Sequence, residues 1–310
     1  MKNIKRLCAF IIICSLVLFT LPGISACAAN KDISLTNGEQ NKTVMSDEQL
    51  PATDAGTDLE EFPDADTNLK EFSDAGAYLA EFPDANFRDK VLSLLNEEDS
   101  GNRTDSSIVT SNDLTLLASI PELVIYDMNI ADMTGLKYFT GLENLSCSGN
   151  QLTSLDLSNN SKLKHFLCTS NQLTALDVSK NTVLKDLDCS YNQLTVLDLS
   201  KNTVLWDLDC STNQLTALDV SKNTVLESLN CNDNQLTALD VSKNTALVIL
   251  SCSYNQLTAL DVSNNTELRR LRCYNNNMTS PDNVLGWQQI GLIMDDTFKF
   301  YPQSVPQIST

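Results

Sequence analysis

From Leu142 to Ser280 the apolar positions return every 21 residues, as Leu-x-x-Leu-x-Cys-x-x-Asn-x-Leu-x-x-Leu-x-Val-x-x-Asn-x-x. In the third copy they are Leu184, Leu187, Cys189, Asn192, Leu194, Leu197, Leu199 and Asn202. A strict period of this size marks a solenoid, one supersecondary unit stacked on copies of itself. Within each copy the Leu-x-x-Leu-x-Cys stretch alternates inward and outward positions, as a short strand does. Stacking predicts one parallel sheet of about eight strands. The rest of the repeat, Leu-Thr-x-Leu-Asp-Val-Ser, has no apolar run long enough for a helix and predicts an extended or 3-10 convex side. Asn150, Asn171, Asn192, Asn213, Asn234, Asn255 and Asn276 end the strands. Their amides are placed to bond backbone groups in their own and the adjacent coil.

Repeats of this form are leucine-rich repeats, with cysteine where the last strand leucine is usual. Seven copies occupy 142–280 and start at Leu142, Leu163, Leu184, Leu205, Leu226, Leu247 and Leu268. The seventh breaks down at Pro281. Residues 82–141 read as an α-helical N-terminal cap and an atypical first repeat. Asp84-Ala85-Asn86 supplies helix-start chemistry, and Phe87, Val91, Leu92, Leu94 and Leu95 form an apolar face that should end near Asn96. Asn112 to Ile120 predicts a second short helix, and Ile125, Met128, Ile130, Met133, Leu136 and Phe139 an inward face. Residues 281–310 read as a C-terminal cap and tail, carrying Trp287, Ile290, Leu292, Ile293, Phe298, Phe300 and Tyr301. Residues 29–81 read as an acidic flexible linker. Within it Ala55–Asp64 and Ala65–Asp74 repeat a ten-residue pattern that Ala75–Asp84 continues, anchored on Phe62, Phe72 and Phe82.

The first 28 residues read as an export signal. Lys2, Lys5 and Arg6 precede an apolar run from Leu7 to Leu21, too short and wrongly flanked to span a membrane. Two cleavage chemistries fit. Ala26-Cys27-Ala28 is a small-x-small peptidase site, and Ile24-Ser25-Ala26-Cys27 resembles a bacterial lipobox, which would make Cys27 a lipidated first residue. Either route exports the chain, to be secreted or anchored at the bacterial cell surface. A lipid on Cys27 is the one membrane contact expected. The formal net charge is −19, which argues against nucleic acid and anionic membrane surfaces, since both select basic faces. Between Lys31 and Asp84 stand 14 acidic residues against three lysines, so much of that charge lies outside the repeats.

An exported protein can form disulfides. The ladder Cys147, Cys168, Cys189, Cys210, Cys231, Cys252 and Cys273 is odd in number, however, and equivalent residues on parallel strands point the same way into the core. These cysteines are expected as buried free thiols packed as small hydrophobes. Metal binding wants ligands at short spacing and in mixed geometry. The chain has one histidine, His165, and no nucleophile, base and orienting group can be drawn around it. No enzyme activity, cofactor or metal is expected.

The copies agree on their convex halves and differ on the outward strand positions. Asp186, Asp188, Asp207 and Asp209 form an acidic square on adjacent strands, with Tyr191 and Trp206 beside it. Val248, Ile249 and Tyr254 make an apolar step, and Arg269, Arg270, Arg272 and Tyr274 a basic end. Exposed aromatics and arginines are the residue types enriched at interface anchors. Carboxylates alone do not close a calcium cage, and Glu97-Glu98-Asp99-Ser100-Gly101 lacks the acidic spacing of a calcium loop.

The near-verbatim recurrence of Asn-Gln-Leu-Thr-x-Leu-Asp-Val-Ser-Lys-Asn-Thr, as at Asn171–Thr182 and Asn213–Thr224, resembles the internalin family of Gram-positive surface proteins. Within that family it is similar to the internalin J type, with 21-residue cysteine-ladder repeats. The resemblance covers about residues 82–301. It implies a helical cap, a curved parallel-sheet solenoid and a role in adhesion or recognition. The chain shows no immunoglobulin-like domain after the repeats, no mucin-binding repeats and no wall-sorting tail, so wall attachment is not implied. The expectation is a monomeric binding protein that takes a protein or glycan ligand on its concave face. A structural spacer or inhibitory envelope protein without such a ligand is the other reading.

Overall fold

The computed structural model describes residues 77–304, all within the unit Glu61–Thr310. The expected signal, Cys27, the linker up to residue 76 and residues 305–310 lie outside the described residues. Three helices come first: α1 Tyr78–Glu81, α2 Ala85–Asp99 and α3 Ser111–Ser119. The strands that follow are β1 Glu122–Val124, β2 Asn144–Ser146, β3 His165–Leu167, β4 Asp186–Asp188, β5 Asp207–Asp209, β6 Ser228–Asn230, β7 Ile249–Ser251, β8 Leu260–Asp261, β9 Arg270–Arg272, β10 Val284–Leu285 and β11 Phe298–Lys299. Nine of them form one parallel sheet in the order β1-β2-β3-β4-β5-β6-β7-β9-β11, and β8 pairs with β10. This is the leucine-rich repeat solenoid that the 21-residue period predicts. Among the described residues no helix is long and apolar enough to cross a membrane.

Each coil closes because its apolar positions all turn inward. In the fourth repeat Leu205, Leu208, Cys210, Leu215, Leu218 and Val220 are buried, and they join one core that runs the length of the unit. Full burial of each such leucine is worth about 1.5–3 kcal/mol. The seven ladder cysteines are free and buried.

The strand-ending asparagines do what their position requires. Asn213 Nδ2 donates to Cys189 O at 3.0 Å and Cys210 O at 3.1 Å, and its Oδ1 accepts from Leu194 N at 2.9 Å. One side chain thereby satisfies buried backbone groups of two coils. A second ladder on the convex half, Asn160, Asn181, Asn202, Asn223, Asn244 and Asn265, is fully buried. Asn202 Nδ2, for example, donates to Val178 O and Asn181 O, both at 3.0 Å. The sequence pattern contains these residues but assigns them no role. The convex aspartates are turn formers. Asp198 Oδ1 accepts from Ser200 N at 2.9 Å, and this bond, with the Ser200 hydroxyl, lowers its pKa.

The N-terminal cap begins earlier than the expected boundary at Phe82. Tyr78 of α1 is fully buried and stacks on Phe82, with ring centroids 5.9 Å apart. The residues from Ala77 therefore belong to the cap and not to the linker. Phe82 also packs on Phe87 and Tyr138, both at 5.8 Å. Gly135, at φ +101°, leaves the room its ring needs: a Cβ there would lie 2.4 Å from it. Asp84 caps α2 through Phe87 N at 3.0 Å and also accepts from Ala131 N at 2.8 Å, which ties the cap to the first coil. Helix α2 runs past Asn96 to Asp99, where Ser100 adopts the left-handed conformation. The extra turn is held by Arg103, whose guanidinium bonds Leu95 O and the carboxylates of Asp99 and Asp113. That guanidinium supplies the positive charge within the acidic loop.

At the other end the two-residue alternation of β11 buries Phe298 and Phe300. Ile293 and Tyr301, two of the apolar residues that mark the cap in the sequence, are exposed.

Candidate functional site

The outward positions of the strands form rows because the register is direct, Asp186 against Asp207 and Asp188 against Asp209, for example. The four aspartates do meet as a square, but they are not a free acidic surface. Asp186 is only 7% exposed and pairs through Oδ2 with Nδ1 of His165, its register partner on β3. Its Oδ1 is buried without a hydrogen bond. Asp188 Oδ1 accepts from Ser190 N at 3.0 Å and Ser190 Oγ at 2.6 Å. Asp209 binds Ser211 in the same way, at 2.9 and 2.5 Å, and accepts from Asn230 Nδ2 at 2.7 Å.

Burial disfavours the charged form of such groups, and neighbouring carboxylates add to the effect. Asp207 is pushed up to about 7, first by burial and then by the charges of Asp186, Asp209 and Asp188, against a hydrogen bond from Ser228. Asp188 is pushed up to about 6 by burial and by Asp209. Among the described residues no group of three His, Cys, Asp or Glu is arranged to hold a metal. Trp206, one residue ahead of β5, is half-buried.

The apolar step is half-buried at Val248 and Ile249. Beyond it Arg269, Arg270 and Arg272 are exposed. Arg269 reaches Glu267 at 3.1 Å. Arg270 and Arg272 have no carboxylate partner among the described residues. Arg272 opens onto a cleft with Tyr254, Tyr274, Asn275, Lys299, Tyr301 and Pro302. Lys299 is not singled out by the sequence, and Tyr301 reads there only as part of the C-terminal cap. The alternation Phe298 in, Lys299 out, Phe300 in, Tyr301 out was the signal that would have found them.

The residue two places after each cysteine has a left-handed backbone, with φ from 52° to 68°: Gly149, Ser170, Tyr191, Thr212, Asp233, Tyr254 and Asn275. Glycine and asparagine tolerate this region, whereas bulky residues do not. Tyr191 and Tyr254 hold it while 58% and 48% exposed. The two tyrosines picked out as flanking the acidic square and the apolar step are thus also the two bulkiest residues in the strained row.

No family model matches the chain, and no curated protein does. Solved structures do. Internalin InlF from Listeria monocytogenes is 25% identical over 67% of this chain and 68% of that one, with a TM-score of 0.51. Internalin C2 from the same organism is 20% identical over 75% of this chain and 98% of that one, with a TM-score of 0.58. The functional domain of InlJ from Listeria monocytogenes, which includes a cysteine ladder, is 28% identical over 71% of this chain, with a TM-score of 0.35. This chain spans 64% of that domain.

Proposed function

We propose that this chain, an internalin-like leucine-rich repeat protein, is a non-catalytic recognition solenoid that holds a protein or glycan ligand on its concave face. One observation carries the reading. On a frame repeated almost without change, the outward strand positions and the turn residue two places after each cysteine vary most, and they carry exposed arginines and exposed tyrosines at left-handed φ. Solvated strands need neither, while interface anchors are drawn from both types. The likeness to internalins supports a recognition role at the level of the family. The bacterial exterior is the matching location, reached by the signal of residues 1–28, with the mature chain either released or lipid-anchored at Cys27. Mass spectrometry of the mature N-terminus separates the two: a diacylglyceryl Cys27 means a lipoprotein, and a free Ala29 means release.

The test is a glycan and protein array probed with the full chain and with a variant carrying Trp206→Ala, Arg269→Ala, Arg270→Ala and Arg272→Ala. Circular dichroism first establishes that both fold alike. Binding by the parent and loss in the variant is the expected result. Equal binding by both moves the site off the concave face. No binding by either favours a spacer or inhibitory envelope protein.

A further inference from the structure

Tyr254 occupies a backbone position that costs a tyrosine about 1–2 kcal/mol, and its exposed ring recovers little of that cost by burial. Asn275 fills the equivalent slot one coil later with a residue that suits it. The left-handed slot recurs in every coil, so what a tyrosine adds there, beyond its contact with Tyr274, is an exposed aromatic face. Its ring is braced edge-on against Tyr274, with centroids 5.4 Å apart and planes at 78°. The added strand β11 brings a third ring, Tyr301, 59% exposed, to the same cleft.

The cleft is cationic in a strongly acidic chain. Arg272 and Lys299 both line it, at partnered positions of β9 and β11, and no aspartate or glutamate does. Lys299 Nζ bonds the carbonyl oxygen of Asp295, and among the described residues it forms no ion pair. The backbone around the cleft is already engaged. Tyr254 N donates to Tyr274 O at 3.0 Å, Cys273 N to Lys299 O at 2.9 Å and Asn275 N to Pro302 O at 2.6 Å. A peptide seeking to add itself as a strand finds those groups spent. Recognition here falls to side chains: amphipathic rings with a polar tip, one amide, and a guanidinium suited to bidentate carboxylate binding.

We propose that the Tyr254–Tyr274–Tyr301 cleft binds a carboxylate-bearing saccharide, its ring face on the tyrosines and its carboxylate on Arg272 and Lys299. The assignment rests on the concave-face reading and names the ligand class for it.

Isothermal titration of the full chain with tri-galacturonic acid and with its methyl ester tests it, because the ester keeps the rings and removes the charge. The acid is expected to bind at least about tenfold tighter than the ester. Arg272→Gln should erase that difference. Tyr254→Asn should weaken the acid at least about tenfold with no fall in the thermal midpoint, while Ser170→Asn, at the same turn position of another coil, leaves binding unchanged. Equal binding of acid and ester, an unaffected Arg272→Gln variant, or no binding of either compound overturns the proposal. An acidic peptide captured at these residues instead also overturns it. If the saccharides fail while the array ligand is still lost in the concave quadruple variant, the concave-face reading stands and only this assignment falls.

Discussion

At β4 and β5 four carboxylates stand opposite one another in register. At β9 the same two outward positions carry Arg270 and Arg272. The backbone is the same short strand in both places, but the charges fare differently. In the middle of the stack the carboxylates find serine, asparagine and histidine partners on their own or the next coil, and they are half-buried or more. Near the end the coil beyond β9 is the short tail strand β11, which offers Lys299 and no acid at the matching position. The lesson is that position within the stack decides whether a charge is absorbed into the fold or left open at the surface. The acidic square is a structural cluster sensitive to protons, and the basic end is the more open surface.

A large effect is expected from breaking the frame that both zones share. Asn213→Ala removes the bonds to Cys189 O, Cys210 O and Leu194 N beside the acidic square. Asn192 and Asn234 still donate to the two carbonyls, but the buried Leu194 N is left unpaired, so urea unfolding should show a loss of about 1–3 kcal/mol. A loss under about 1 kcal/mol would mean that the ladder is dispensable.

Asp207→Asn sharpens the contrast through pH. The folded pKa of about 7 lies above the unfolded one. The native state therefore keeps a proton that the unfolded chain has already released as pH rises from about 4 to about 7. Stability falls across that window, and the full penalty is present above it. The variant should be more stable than the parent by about 2–4 kcal/mol at pH 8 and similar to it below pH 4, read from urea midpoints at several pH values. A difference independent of pH would show that this carboxylate is not held back from ionising.

Smaller effects follow from backbone and surface. Tyr191→Asn places a tolerant residue at φ 52° and should raise stability by about 0.5–1 kcal/mol. Arg270→Gln should change stability by less than about 0.5 kcal/mol, since the side chain is exposed and unpaired. The same measurement on Asp186→Asn should show a clear change, because that side chain is buried against His165.

The coil, the strand with its inward leucines and cysteine, and the asparagines that end it were all legible, because each is a local pattern stated seven times over. Two features were partly hidden. The Asn160 series looks like an ordinary polar turn residue until its Nδ2 is seen to reach carbonyls 21 and 24 residues back. Tyr78 and Phe82 sit in what reads as a degenerate acidic repeat, and only their stacking in the cap separates that copy from the ones before it. Asp186, Asp188, Asp207, Asp209, Arg270 and Arg272 flank a buried leucine on their strands, as the alternation expects. Their degree of exposure was not legible, because burial of Asp186 depends on neighbours a full coil away.

The 21-residue pattern alone determined the repeat, the bonding role of the strand-ending asparagines and the direction of the inward leucines and cysteines, since spacing along a strand dictates which face a residue takes. Tertiary structure decided which charges are spent and which remain. Neutralisation is a pairwise matter between groups brought together by stacking. It also decided where the chain's last apolar run would go, and by laying β11 beside β9 it set Lys299 and Tyr301 next to Arg272.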